Sequence, residues 1–248
     1  MRQPAEVDWS SMVRGLRDRY LHAQLEGDRK GALRVLVDEG LKKGVLTAQL
    51  QLGVIQEAQR EIGRLWQEDR ISIAQEHMAT AISQVALAYL YELATPPAPN
   101  GKKILMACVE GELHDFPARL AADALDLAGF EVRFLGANVP TDSLLSMISA
   151  QKPDLVALSV AMVFNIPALR IAVTRIRERN PELPIAVGGN ALTQAPLATN
   201  GVVTPGAGAM DARAAYAGWH RAVRAALSWA REGAGIDTHL IYRMAIAR

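Results

Sequence analysis

The stretch Glu112-Leu113-His114-Asp115-Phe116-Pro117 stands between an apolar run, KILMACV at 103–109, and a helical run, ARLAADALDLAG. An imidazole in such a loop can be a solvated polar group, a general base or a metal ligand. As a general base it lacks a partner, because no serine or cysteine nucleophile is placed beside it by sequence. A zinc centre would need further ligands, and the five histidines are widely scattered. Three other constellations could carry chemistry. Ser159-Val160-Ala161 closes a second apolar run, and Gly188-Gly189 closes a third. Trp66 is followed ten residues later by Glu76-His77. Each has an ordinary alternative: a Gly-Gly pair also suits any strand-to-helix turn, and Trp66 also suits the core of an amphipathic helix.

These residues need elements to position them. The chain has 248 residues, half of them hydrophobic, with a formal net charge of +1. That balance permits a sizeable core and lacks the basic stripe of a nucleic-acid binder. One cysteine, Cys108, excludes an internal disulfide and a zinc-type cysteine cluster. No apolar run is long enough to span a membrane, and MRQPAEVDWSS lacks a signal-peptide core, so a cytoplasmic location is expected.

The first 95 residues have helical periodicity. Four helices are expected: one from an Asp8 or Ser10 cap to about Glu26, one over 28–43 with Gly44 as the stop, one over 47–69 and one over 72–93. Short connections favour antiparallel neighbours and a four-helix bundle over 1–95. The segment TPPAPNGKK cannot continue a helix, which sets a linker at 96–102. Beyond it, over 103–232, strands expected at 103–109, 131–136, 155–160, 184–189 and 201–204 alternate with helices, the last from about 210 to 231. This pattern implies an α/β domain with a five-stranded parallel sheet, of flavodoxin-like or Rossmann-like order 2-1-3-4-5. His114 then falls at the carboxyl end of the first strand, where such sheets bind ligands. Residues 233–248 read as a terminal tail.

Glu112 to Pro117 resembles the acidic-x-His-x-x-Gly loop of cobalamin-binding domains. In that family a serine motif follows 41 residues later, and here 41 residues separate Pro117 from Ser159. A further 26 separate Ala161 from Gly188-Gly189, also at family spacing. The resemblance covers about 100–230. It implies that His114 is the lower axial ligand of cobalt and that Glu112 fixes the ring's tautomer. It implies that Ser159 and Val160 line a slot for the cofactor's nucleotide tail, and that Gly188 and Gly189 allow close backbone approach. The family's glycine is Pro117 here, so any backbone N–H contact from that position is lost, while the axial ligand is unaffected.

The helical half resembles that of light sensors of the CarH type, which use adenosylcobalamin as a chromophore. The spacing of Trp66 to Glu76-His77 is similar to that class, and Ile73 falls where it has a branched apolar residue. The resemblance implies a bundle capping the upper face of the cofactor. Corrinoid methyl carriers more often show an aromatic–glycine run and a Leu-Pro step at this helix start, which ISIAQEH lacks. Two departures matter. The residue after the tryptophan, a cobalt-binding histidine in the CarH class, is Gln67 here. The class's N-terminal DNA-binding domain is not expected, because the bundle begins near residue 8. The leading expectation is therefore a non-enzymatic cobalamin photoreceptor without direct DNA binding, acting through a protein partner or its own oligomer. The alternatives are a methyl carrier for a methyltransferase and a cobalamin-binding adaptor. Some stand-alone relatives also bind a bilin, but nothing in this sequence establishes a bilin site.

Overall fold

The structure, a computed structural model, describes residues 9–194. The expected fifth strand, the long helix after it and the tail lie outside the described residues. The chain divides into two units, at Thr95 and Pro96, close to the linker read from the prolines.

In the helical unit, α1 (Trp9–Leu25) packs with α2 (Arg29–Val37), α4 (Gln56–Gln67) and α5 (Ile73–Glu92). Leu16, Tyr20, Leu36, Leu50, Ile55, Ile62, Leu87 and Leu90 form its fully buried centre. Each such aliphatic side chain stabilises the fold by roughly 1.5–3 kcal/mol through burial. α2 opens on Asp28, whose carboxylate accepts from Gly31 N at 2.8 Å. It stops at Val37, earlier than the expected 43. After the break, Gly40 lets the chain pass close by: a Cβ there would lie 2.6 Å from the Leu36 carbonyl oxygen and 2.7 Å from a Leu50 methyl. The chain re-forms as a 3-10 turn, Leu41–Lys43, and Gly44 ends that turn at φ 89° as anticipated.

The helix expected over 47–69 is α3 (Thr47–Leu50), a π turn (Gln51–Ile55) and α4 in continuous succession. Periodicity cannot register a π turn, since it shifts phase by one residue without a breaker. Asp69, at φ 55°, then reverses the chain. α5 opens on a reciprocal cap in which Ser72 Oγ accepts from Gln75 N at 3.3 Å and Gln75 Oε1 accepts from Ser72 N at 2.9 Å. Trp66 therefore closes one helix and Ile73 opens the next.

The second unit is a parallel sheet with strands β1 (Lys103–Cys108), β2 (Glu131–Phe134), β3 (Leu155–Ser159) and β4 (Ile185–Gly188) in the order β2-β1-β3-β4. These are the first four positions of the expected order. β1 and β3 are buried almost throughout, as strands covered on both faces must be. Ile104, Met106, Cys108 and Ala157 pack with α6 (Phe116–Asp126) through Ala118 and Ala122. Leu105, Ala107, Val156, Leu158 and Val187 face the other way, toward α7 (Thr141–Gln151) and α8 (Ile166–Arg179). A short helix, α9 (Ala191–Gln194), follows β4.

β1 thus leads to a helix on one face, and its neighbour β3 to a helix on the other. The two loops part at their carboxyl ends and leave a crevice there. That crevice receives residues 109–115 from one side and 160–165 from the other.

Candidate functional site

Glu112 is fully buried at the crevice, which a carboxylate tolerates only when its oxygens are partnered. Oε2 accepts from Ala161 N at 2.9 Å, Met162 N at 2.9 Å and Asn165 Nδ2 at 3.0 Å. Oε1 accepts from His114 N at 2.9 Å and lies 2.7 Å from His114 Nδ1. Burial pushes the carboxyl upward. The Asn165 amide, the backbone N–H groups of His114 and Met162 and the His114 ring outweigh it and hold the pKa at about 2. Glu112 is therefore an acceptor only, so Nδ1 of His114 must carry the proton it shares. In the neutral ring the lone pair is left on Nε2. The His114 side chain is 59% exposed, so that nitrogen is available from solvent.

Further ties hold the loop. Gly111 N donates to Asn138 Oδ1 at 2.8 Å, and Asn138 N donates to the Glu112 carbonyl at 2.8 Å. Asn165 Nδ2 also approaches the Gly111 carbonyl at 3.3 Å. Gly111 has φ 84°, a conformation that suits glycine. Neither asparagine was singled out from sequence. Asn165 stands before Ile166-Pro167, the look of a helix cap, yet its side chain makes no cap bond and turns to Glu112. Leu113 and Phe164 are strongly exposed beside His114 and Asn165 in sequence, and they give the two loops an apolar surface. A large flat macrocycle would cover such side chains.

Ser159 and Gly188 are register partners at the ends of β3 and β4, and Cys108 is the partner of Ser159 on β1. Ser159 is buried, and Val160 packs into the α7–α8 core rather than lining a surface. The two glycines differ. Among the described residues, a Cβ on Gly188 would meet nothing within 4 Å. A Cβ on Gly189, at φ 118°, would lie 2.0 Å from the Val160 carbonyl oxygen. Burial, with the nearby Asp115 and Glu112 charges, pushes the Cys108 thiol up to about 12 despite its bond to Ser159. It stays protonated and offers no competing thiolate.

A lone exposed histidine with a fixed tautomer suits a metal that brings its own equatorial ring. Among the described residues, no group of three or more His, Cys, Asp or Glu side chains could hold a bare ion. Sequence comparison agrees. Residues 102–214 match the family model for the B12 binding domain, and residues 16–91 match a second model, also of a B12 binding domain. The chain is a B12-binding protein. It has an N-terminal helical domain and a Rossmann-like B12 domain, and cobalamin, a cobalt corrinoid, is its cofactor.

The transcriptional repressor CarH of Myxococcus xanthus is 30% identical over 132 residues, 53% of this chain and 44% of that protein. Dimethylamine corrinoid protein 3 of Methanosarcina acetivorans is 27% identical over 176 residues, 69% of this chain and 77% of that protein. The monomethylamine corrinoid protein of Methanosarcina barkeri shares the fold, with a TM-score of 0.61 at 18% identity, over 72% of this chain and 85% of that one. The chain spans less than half the length of the CarH repressor it matches. Among the described residues, no helix is long and apolar enough to cross a membrane.

The helical unit presents the remaining candidates separately. Trp66 is 43% exposed at the end of α4, and Ile73 is exposed at the start of α5. His77 Nδ1 lies 2.7 Å from Glu76 Oε2, and the His77 side chain is 71% exposed.

The Glu112 geometry sets a pH dependence. Its folded pKa is depressed, so its contribution is complete above the ordinary value of 4.5 and is lost as pH falls through about 2. The contribution is on the order of 2–3 kcal/mol. Urea unfolding across that window should show a steep acid limb in the wild type and a flatter one in Glu112→Gln. Equal slopes would remove the carboxylate's assigned role.

Proposed function

We propose that this chain is a cobalamin-dependent photoreceptor and signalling module. It uses adenosylcobalamin as its chromophore and acts through a protein partner or its own oligomer. The observation that carries the reading is the exposure of Trp66. A tryptophan that only filled the helical core would be buried, and this one is not. It ends α4, with exposed Ile73 across the turn and the Glu76–His77 pair on the next helix. In this reading Trp66, Ile73, Glu76 and His77 would contact the cofactor's exchangeable ligand, and His114 Nε2 would hold the cobalt. Ser159, with Gly188 and Gly189, receives the nucleotide tail.

The bound cofactor supplies a weak cobalt–carbon bond that visible light can break. The chain's part is to bind the adenosyl form preferentially and to change its arrangement when the adenosyl group leaves. A cofactor biases such an equilibrium only through its different interactions with the two states. Trp66→Ala should therefore reduce the preference for adenosylcobalamin over methyl and hydroxo forms by about tenfold, in line with the loss of a buried aromatic contact. Titration of each form checks this, and full retention of selectivity would reduce Trp66 to a packing residue.

Gln67 bears on the illuminated protein. An amide oxygen is a far weaker ligand than imidazole, so residue 67 gives no bis-histidine state. His77, with Nδ1 held by Glu76, keeps Nε2 as the one alternative from the two candidate helices. Added cyanide or imidazole should enter the illuminated protein readily. Resistance to exchange in both wild type and His77→Ala would contradict this.

A corrinoid methyl carrier is the second reading, favoured by the longer match to the dimethylamine corrinoid protein. Reconstitution separates the two. A photoreceptor prefers adenosylcobalamin and changes spectrum and molecular mass under green light. A carrier accepts a methyl group from a partner enzyme and shows no such preference.

A further inference from the structure

A chain of hydrogen bonds crosses the helical core and ends on Glu76. Tyr20 Oη and Ser83 Oγ are 3.0 Å apart. Gln24 Nε2 reaches Ser83 Oγ at 2.9 Å, Gln59 Oε1 at 2.8 Å and the Ala79 carbonyl at 2.9 Å. Ser83 Oγ donates to Gln59 Oε1 at 3.2 Å. Gln59 Nε2 donates to Thr80 Oγ1 at 2.8 Å, and Thr80 Oγ1 donates to Glu76 Oε1 at 2.9 Å. Tyr20, Gln24 and Ser83 are fully buried, and Glu76 is the point where the chain nears the surface.

The donors have one direction. Thr80 has a single hydroxyl proton, directed to Glu76, so it accepts from Gln59. Ser83 directs its proton to Gln59, so Tyr20 must donate to Ser83. Burial raises the Tyr20 phenol far above its ordinary value, and that proton stays in place. The links from Tyr20 through Ser83, Gln59 and Thr80 thus point at one carboxylate oxygen, while the other carboxylate oxygen meets His77 Nδ1. Aligned bonds of this kind reinforce one another. Apolar residues of the same shape could hold three helices together about as well. What they could not do is fix the rotamer of Glu76.

We propose that Thr80 and Gln59 are positioning residues, which hold Glu76 so that the Glu76–His77 pair discriminates the adenosyl group from smaller upper ligands. This rests on the upper-ligand role given to Glu76 above. The test is to titrate the full-length protein with adenosyl-, methyl- and hydroxocobalamin. The variants are Thr80→Val, Thr80→Ser, Gln59→Leu and Glu76→Ala, with melting temperatures measured alongside. Thr80→Val should lower the adenosyl preference about tenfold, the scale of one hydrogen bond to a charged group, with methyl-form affinity unchanged. Thr80→Ser should keep the preference, and Gln59→Leu should repeat the loss should Thr80→Val not fold. Loss in Glu76→Ala without loss in Thr80→Val and Gln59→Leu overturns the positioning role alone. Retained preference in Glu76→Ala overturns the upper-ligand role as well.

Discussion

His114→Ala is expected to abolish the histidine-ligated spectrum of the bound cofactor and to weaken binding by about 10- to 100-fold, the range seen when metal-site support is removed. The effect should be large because the ring is organised before cobalamin arrives. Five contacts within hydrogen-bond distance reach the Glu112 carboxylate, and two of them come from His114 itself. Those contacts fix the proton on Nδ1 and direct the Nε2 lone pair outward. Alanine keeps the backbone N–H but removes the only imidazole in the loop. Glu112→Gln should do less, since the ring remains but its tautomer is no longer dictated. Absorption spectra and equilibrium titration of both variants check the order. An unchanged spectrum and affinity in His114→Ala would remove the assignment.

The second large effect concerns the glycine pair. Gly189→Ala should destabilise the sheet unit by about 3 kcal/mol or more, because a new Cβ meets backbone that has no rotamer to yield. The Val160 carbonyl oxygen would be 2.0 Å away, its carbon 2.5 Å and the Val160 nitrogen 2.9 Å. Gly188→Ala should change stability by only about 1 kcal/mol or less, since its Cβ meets none of the described residues within 4 Å. Gly188 pairs with Ser159 at the strand ends, so the same substitution should weaken cobalamin binding. Urea unfolding of both variants and cofactor titration of Gly188→Ala check these expectations. Equal destabilisation would show that the glycines do not divide these roles.

The parts of the fold legible from sequence were those carried by local chemistry. Ser72 announced α5 because its hydroxyl caps the helix, and Gly44 announced a stop because it takes positive φ. The buried strands announced themselves as apolar runs. His114 was legible because one loop holds both it and the acid two residues before it. Asn165 was not, since only the fold brings it 53 positions back to Glu112. Asn138 was missed for the same reason. The early end of α2 and the π turn were hidden too. The first comes three residues before the nearest glycine, Gly40, and the second leaves composition unchanged. The paired glycines looked alike as letters, and their difference lies in whether Val160 stands over them.

Electron spin resonance of the reduced cobalt(II) form tests the central claim most directly, using protein grown with heavy-nitrogen-labelled histidine and unlabelled cobalamin. The nitrogen bound axially splits each cobalt line, and the two isotopes split it differently. Ligation by His114 predicts that the triplet of ordinary nitrogen becomes a doublet on labelling, and that the doublet disappears in His114→Ala. A triplet that persists in the labelled protein would place the cofactor's own base on cobalt and contradict the account.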